Sequence, residues 1–111
     1  MITTGPLDLS SGEGKGPLWG LASEDLNATL LAWPRGGGVS EQVNEERDVL
    51  LIVVAGSCWV WLDGVRHYAS PRQAVLVEKG RGHRLLAGED GVRYLSVHVR
   101  RPPLQIRAPA A

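Results

Sequence analysis

Short apolar stretches, separated by glycine, proline and charged residues, run along the whole chain. The clearest stretch, Val49–Ala55, is rich in β-branched residues and predicts a central strand that is buried on both faces. No segment keeps a sustained helical period, although Ser23–Leu26 is compatible with one helical turn capped by Ser23. The other predicted strands are Asn27–Trp33, Glu41–Asn44, Cys58–Leu62, Val65–Tyr68, Ala74–Val77, His83–Leu86 and Val92–Arg100, with a short strand near Leu7–Leu9.

Glycine and proline mark the places where these strands are expected to end. Asp63-Gly64 is the strongest hairpin signal, because both residues accept the left-handed backbone of a type I′ turn. Gly56-Ser57 and Gly88–Gly91 are also predicted to turn the chain. Many short strands with tight turns indicate an all-β jelly roll or closed barrel, in which pairing around the barrel protects the strand edges.

The length of 111 residues predicts a single domain. We expect a flexible arm at residues 1–17, the barrel at 18–101 and a Pro/Ala-rich tail at 102–111. The N-terminal residues contain no basic patch followed by an apolar stretch, so no signal peptide is expected. The longest apolar run is too short to span a bilayer. The only cysteine, Cys58, excludes an internal disulfide and a multi-cysteine zinc site, so a cytoplasmic location is expected.

Charge and aromatic residues limit the partners that the sequence predicts. Lys and Arg number 12, as do Asp and Glu, so long-range attraction gives no reason to expect a nucleic-acid or membrane partner. Trp59 and Trp61 alternate along a predicted strand and therefore share one face, where the core or a homodimer interface is favoured over a pocket floor. Cys58, in the same strand, is predicted to be a packed thiol rather than a nucleophile.

Two segments carry a family resemblance. In Gly36–Gly56, a glycine is followed after five residues by Gln42 and Asn44, then by an acid at Asp48 and a second glycine. This is the spacing of the first cupin motif, with the two usual histidines replaced. Glu78–His83 fills the place of the second motif, a glycine turn that leads to a histidine. The chain therefore resembles a small single-domain cupin over most of residues 25–100, which implies a cupin-like jelly-roll β-barrel.

The resemblance also implies which residues would face a metal ion inside the barrel. The matching positions are Gln42, Asn44, Asp48 and His83. Imidazole is a good donor to transition metals and a carboxamide oxygen a poor one, so the usual two-histidine, one-carboxylate set is not met. Seven residues separate Asp48 from Gly56, one more than is usual. Because strand side chains alternate, that extra residue would turn Asp48 to the other face unless a bulge absorbs it.

Other residues near the motifs allow two interpretations each. Tyr94, Ser96 and His98 share one face of the last strand, so His98 either joins His83 in the cavity or faces solvent while the apolar face points inward. Gln42 and Asn44 either bind a ligand or satisfy loop backbone groups. His67 is expected at the surface. Glu45 and Glu46 either supply a carboxylate or, with Arg47, form a solvated loop.

These residues favour a binding protein over an enzyme. We predict a small cupin-type protein that binds a small molecule in its barrel cavity and whose metal site is degraded. The cavity candidates are Gln42, Asn44, Asp48, His83 and His98. The alternative is a metal-dependent enzyme of dioxygenase, isomerase or lyase type, with a divalent transition metal held by His83 together with His98, Asp48 or Glu45. A metal-free acid–base enzyme that uses His83 is a third option.

Overall fold

The computed structural model describes residues 5–100, which form an all-β fold, as predicted. It has seven strands, fewer than the sequence indicated, because two pairs of predicted strands are each one long strand. None of these residues belongs to a helix that could cross a membrane. The predicted tail at 102–111 and the first four residues of the predicted arm lie outside the described range. The strands are β1 (Gly16–Ala22), β2 (Leu26–Trp33), β3 (Gly38–Val43), β4 (Val49–Leu62), β5 (Val65–Ala69), β6 (Ala74–Val77) and β7 (Gly82–Val99).

Strands β4 and β7 are the longest and pair antiparallel along their length. One half of this pair carries the order β1-β2-β7-β4-β6, because residues 49–53 of β4 meet the second half of β7. The other half carries β3-β7-β4-β5, because residues 58–62 meet the first half of β7. We call these the five-stranded and four-stranded half-sheets. They share both long strands, which gives the cupin-like β-barrel that the sequence predicted.

The predicted turns at Gly56-Ser57 and Gly88–Gly91 are wrong, because both long strands continue through these residues. The pairing shifts register on either side of Gly56, which bends the strands without ending them. Gly56 has a φ of 68°, and a side chain there would collide with the carbonyl oxygen of Gly91. Glycine at position 56 therefore joins the two half-sheets, since no other residue type fits both the backbone and the space.

The core lies between the two half-sheets. The inward face of β4 alternates through Val49, Leu51 and Val53 and, beyond the bend, Cys58 and Val60, all of which are buried. The outward side chains of Val49–Ala55 are only half-buried, so the prediction of a strand buried on both faces is wrong. Burial raises the pKa of the Cys58 thiol to about 11, which confirms a packed, unreactive cysteine.

The hairpin at Asp63-Gly64 is confirmed, with φ values of 49° and 81° that a type I′ turn requires. The helical turn predicted at Ser23–Leu26 is wrong, because this segment closes the β1–β2 hairpin. The backbone N–H of Ser23 donates to the carbonyl of Leu26, and the Ser23 hydroxyl accepts from the N–H groups of Asp25 and Leu26.

The N-terminal segment differs from the prediction in two ways. Leu7–Leu9 is not a strand, and β1, which the sequence did not predict, begins at Gly16, inside the segment expected to be an arm. The guanidinium of Arg93 donates to the backbone carbonyls of Leu9, Ser11 and Gly12. These bonds attach the segment to β7.

Candidate functional site

A cavity of about 540 Å³ lies between the half-sheets. Its walls come from β2, β3, the β3–β4 loop, the start of β4 and both halves of β7. Four of the five predicted residues, Gln42, Asn44, His83 and His98, line it, whereas Asp48 does not. The other lining residues are Leu31, Val39, Val43, Glu45, Glu46, Arg47, Val49, Leu51, Leu85, Tyr94 and Ser96.

His83 is the most deeply buried polar side chain of the site. It is 8% exposed, and β3 pairs with β7 so that Gln42 lies directly opposite. The side-chain nitrogen Nε2 of Gln42 is 3.2 Å from Nε2 of His83. Burial lowers the pKa of His83, and the negative charge of Glu41 partly opposes this shift. The imidazole is therefore favoured in its neutral form.

The hydrogen bond from Gln42 also decides which nitrogen of His83 carries the proton. An amide nitrogen only donates, so Nε2 of His83 accepts and the proton of the neutral ring lies on Nδ1. Nδ1 is buried and has no hydrogen-bond partner within residues 5–100. One polar atom in the cavity wall is thus left unsatisfied, which is rare in folded proteins and calls for an explanation.

His98 lines the same cavity, which agrees with the interpretation that the Tyr94–Ser96–His98 face points inward. Its surroundings differ from those of His83. Nδ2 of Asn27, directly opposite on β2, is 3.3 Å from Nε2 of His98, and Nδ1 of His98 is 3.0 Å from the carbonyl oxygen of Val99. The amide donates to Nε2, so Nδ1 carries the proton and donates to the carbonyl. Both ring nitrogens are satisfied within the protein.

Asn44 and Asp48 bind backbone groups of the loops. The Oδ1 atom of Asn44 accepts from the N–H groups of Glu46 and Arg47, at 3.0 and 3.1 Å. Oδ1 of Asp48 accepts from the N–H of Lys79 at 2.9 Å. These bonds shape the β3–β4 loop and fasten it to the turn before β7. For Asn44, these contacts support the interpretation that the side chain satisfies loop backbone groups rather than a ligand.

The residues at the cupin metal positions do not fit a metal ion in this arrangement. Gln42 contacts His83, the oxygen of Asn44 is used by two backbone groups, and Asp48 lies outside the cavity lining. Within residues 5–100, no group of three or more His, Cys, Asp or Glu side chains is placed to hold a metal. Transition-metal sites in proteins need several such donors around one point.

Arg47 is a cavity residue that the sequence did not single out. It follows Glu46 in the β3–β4 loop, where the pattern of three charged residues is typical of a solvated surface. Its side chain is instead half-buried, and its Nε atom is buried without a hydrogen-bond partner. No periodic signal marks a loop residue as inward-facing, so only the folded chain shows it.

The aromatic residues of β4 lie outside the cavity. Trp59 and Trp61 point outward, and each packs under an arginine of a neighbouring strand. The guanidinium carbon of Arg66 is 4.3 Å from the Trp59 ring centroid, and that of Arg84 is 3.7 Å from the Trp61 centroid. His67, in β5, is exposed, which confirms its predicted place at the surface. The two tryptophans are thus neither a cavity floor nor part of the core cluster.

Comparison with known proteins identifies the fold but no specific relative. No protein-family model matches the chain, and no curated protein matches it. Among solved structures, KdgF from Halomonas sp. is 24% identical, with a TM-score of 0.71 over 77% of this chain and 78% of that chain. The cupin domain of Schizosaccharomyces pombe Cnp3 is 15% identical, with a TM-score of 0.69 over 75% and 63% of the two chains.

An RmlC-like cupin from Shewanella frigidimarina has a TM-score of 0.64 at 17% identity and covers 70% of this chain and 68% of its own. At such identities a likeness carries the fold and not the activity. The chain therefore has the cupin fold, as the spacing of its two glycine motifs predicted.

Proposed function

We propose that this protein binds a small organic molecule in the cavity between its half-sheets. The observation that carries the proposal is the cavity itself: about 540 Å³, with polar side chains set among apolar ones. Ligand sites in proteins typically enclose ~300–1,000 Å³ and combine apolar walls with a few polar groups that orient the ligand. His83 supplies such a group, because it is buried in the wall and one of its nitrogens is unsatisfied.

Fragment binding followed by ¹H–¹⁵N NMR spectra of the full chain tests this proposal. A library of small carboxylates, amines, polyols and neutral amides should contain members that shift the amide signals of lining residues and saturate. Ser96 is half-buried in the cavity wall, so Ser96→Phe should fill the space and abolish these shifts. Val97→Phe, on the opposite face of the same strand, is the matched control and should retain them.

No saturable shift with any member of the library would contradict the proposal. Equal loss in the Ser96 and Val97 variants would also contradict it, since the effect would then not depend on the cavity. Binding that survives Ser96→Phe would place the ligand elsewhere on the protein.

The alternative is a metal-dependent enzyme with an altered ligand set around His83. One observation favours it: the imidazoles of His83 and His98 line the same cavity. Elemental analysis after incubation with Fe, Mn, Ni, Cu and Zn tests it directly. If the wild type binds near-stoichiometric metal and His83→Ala does not, the metal-dependent enzyme is favoured over the small-molecule binding protein. If the wild type and His83→Ala retain equal amounts of metal, His83 is not a metal ligand and the alternative is contradicted.

A further inference from the structure

Two residues that line the same cavity each have a buried N–H group without a partner among the described residues. Among the described residues, Nε of Arg47 and Nδ1 of His83 are the buried side-chain polar atoms that lack a hydrogen-bond partner. Arg47 belongs to the β3–β4 loop and His83 to β7, so the two come from separate parts of the chain. Buried polar atoms in native proteins are nearly always satisfied, by protein, water or a bound ligand.

Both atoms are donors, which restricts what can satisfy them. The Nε atom of arginine always carries hydrogen and never accepts. In His83, the amide of Gln42 occupies Nε2, so the hydrogen of the neutral ring is on Nδ1. A ligand that satisfies both atoms therefore has to supply hydrogen-bond acceptors. One of the two donors, the guanidinium of Arg47, also carries a full positive charge.

The neighbouring acceptors of the protein are already engaged or lie at the solvent. Oδ1 of Asn44 receives two backbone N–H groups, and Oδ1 of Asp48 receives the N–H of Lys79. Glu45 and Glu46 line the cavity but are exposed, so water screens their charge. The remaining wall is apolar and is formed by Leu31, Val39, Val43, Val49, Leu51 and Leu85.

We propose that the cavity binds a small monocarboxylate, whose oxygens accept hydrogen bonds from Nε of Arg47 and Nδ1 of His83. A carboxylate supplies two acceptor oxygens, and its bond to a guanidinium is charge-assisted and stronger than a neutral one. The apolar wall fits a short hydrocarbon body. A second carboxylate would be buried against this apolar wall without a partner, which favours a monocarboxylate over a dicarboxylate.

This inference rests on the proposed function and names the class of its ligand. Both donor atoms have almost no accessible surface in the described arrangement. A ligand therefore reaches them only after the Arg47 side chain rotates aside and the wall around His83 opens, while Gln42 stays bonded to Nε2 of His83. Arg47 is half-buried and lies in a loop, where such a rotation disturbs few neighbours.

The test compares three probes of similar size on the full chain: sodium butyrate, butyramide and sodium succinate. Each is titrated while ¹H–¹⁵N spectra report on the amides of Gln42, Asn44, His83 and Ser96. Butyrate is expected to bind at least about tenfold more tightly than the other two, because a lost charge-assisted bond or a second charge buried without a partner typically changes affinity by such a factor. Arg47→Gln should reduce the preference for butyrate to near unity.

Arg66→Gln is the matched control, because it removes an arginine that is stacked on the outside of the barrel. It should leave butyrate binding unchanged. If Arg47→Gln does not fold, Arg47→Met tests the same point, since methionine keeps an unbranched side chain and removes both the charge and the donor. A ¹⁵N spectrum of the His83 ring adds a direct measurement: butyrate should shift the Nδ1 signal and leave the proton on that nitrogen.

The outcomes separate this inference from the proposed function. Butyramide or an amine that binds the cavity as well as butyrate, or butyrate binding that is unchanged in Arg47→Gln, overturns the carboxylate and leaves a small-molecule site. If no compound class in the fragment library gives a saturable shift, both the carboxylate site and the proposed small-molecule binding are overturned. Succinate that binds more tightly than butyrate overturns the argument from the apolar wall.

Discussion

The cavity has two walls that each present a histidine on β7, and the two histidines differ in their hydrogen bonding. His83, in the four-stranded half-sheet, receives an amide N–H from Gln42 and has a buried nitrogen without a partner. His98, in the five-stranded half-sheet, receives an amide N–H from Asn27 and gives its own proton to the carbonyl of Val99. One wall is chemically complete and the other is not.

The difference shows that two histidines on the same strand, lining the same cavity, can have different roles. Each ring has a carboxamide as its cross-strand neighbour, so the first partner is alike in the two walls. The difference lies at the second ring nitrogen, Nδ1, because the carbonyl of Val99 accepts its hydrogen bond in His98 whereas no group within residues 5–100 does so in His83. Arg47, in the β3–β4 loop, lines the same cavity and also has a buried N–H group without a partner among the described residues. A ligand gains most where polar groups still lack partners.

The largest expected effect comes from breaking the junction that holds the two walls together. Gly56→Ala places a methyl group against the carbonyl of Gly91 and forces alanine to a φ of 68°. We expect it to lower the free energy of unfolding by about 2–4 kcal/mol, since strain and collision add. Urea denaturation measures the loss.

Gly64→Ala is the control for that variant, because Gly64 has a φ of 81° and open space around it. Strain without collision should cost only about 1 kcal/mol. Equal losses in the two variants would mean that the close approach of the two long strands does not matter. The register shifts at the bend would then need another cause.

A smaller effect is expected from removing the cross-strand amides. Asn27→Ala leaves Nε2 of His98 without its donor, and we expect a loss of about 1 kcal/mol. Gln42→Ala should cost less, about 0.5 kcal/mol, because Gln42 is exposed and water can replace it. Urea denaturation of both variants makes the comparison. A larger cost for Gln42→Ala would show that the wall of His83 is the more tightly organised of the two.

The sequence predicted the fold well because the signals for it are local. The apolar run at Val49–Ala55 and the Asp63-Gly64 turn each depend on residues within a few positions, and both correspond to observed structure. The sequence-based prediction failed at glycines, which can form either a turn between strands or a bend within a strand. Gly56 and Gly91 have positive φ, as turn residues do, but here they form a bend within paired strands. Only the partner strand distinguishes a bulge from a turn.

The site was harder to predict, because its properties depend on contacts between distant parts of the chain. The motif spacing located Gln42 and His83, which are 41 residues apart and meet across β3 and β7. It could not show that Asp48 binds the turn at Lys79, since that bond depends on how two loops meet. Arg47 gave no signal, because a charged residue in a charged loop is usually solvated.

The pH dependence of stability distinguishes the two histidine walls. Burial holds the pKa of folded His83 below the ordinary value of 6.5, so the unfolded chain binds the proton more readily. The contribution of His83 to stability is therefore complete above pH 6.5 and is lost as the pH falls below it. Urea denaturation between pH 5 and pH 8 should show a decline at the acid end that is weaker in His83→Gln.

His98→Gln is the matched control and should keep the decline, because His83 is still present. A decline that is identical in wild type and His83→Gln would contradict the assignment to His83. Glu41→Gln provides a further check by NMR titration of the His83 ring. The charge of Glu41 raises the pKa of His83, so its removal should lower that pKa further.

The smallest effect is expected on the outside of the incomplete wall, and it tests whether the two faces of one strand act independently. Arg84 follows His83 in β7 but points outward, where its guanidinium carbon is 3.7 Å from the ring centroid of Trp61. A cation–π contact at an exposed site is worth roughly 0.5–1 kcal/mol, so Arg84→Gln should lower stability by about 0.5 kcal/mol. A double-mutant cycle with Trp61→Leu measures the contact. Because side chains alternate along a strand, cavity binding should not change. If Arg84→Gln weakened butyrate binding as much as Arg47→Gln, the exterior arginine would be shown to position His83 through the strand they share.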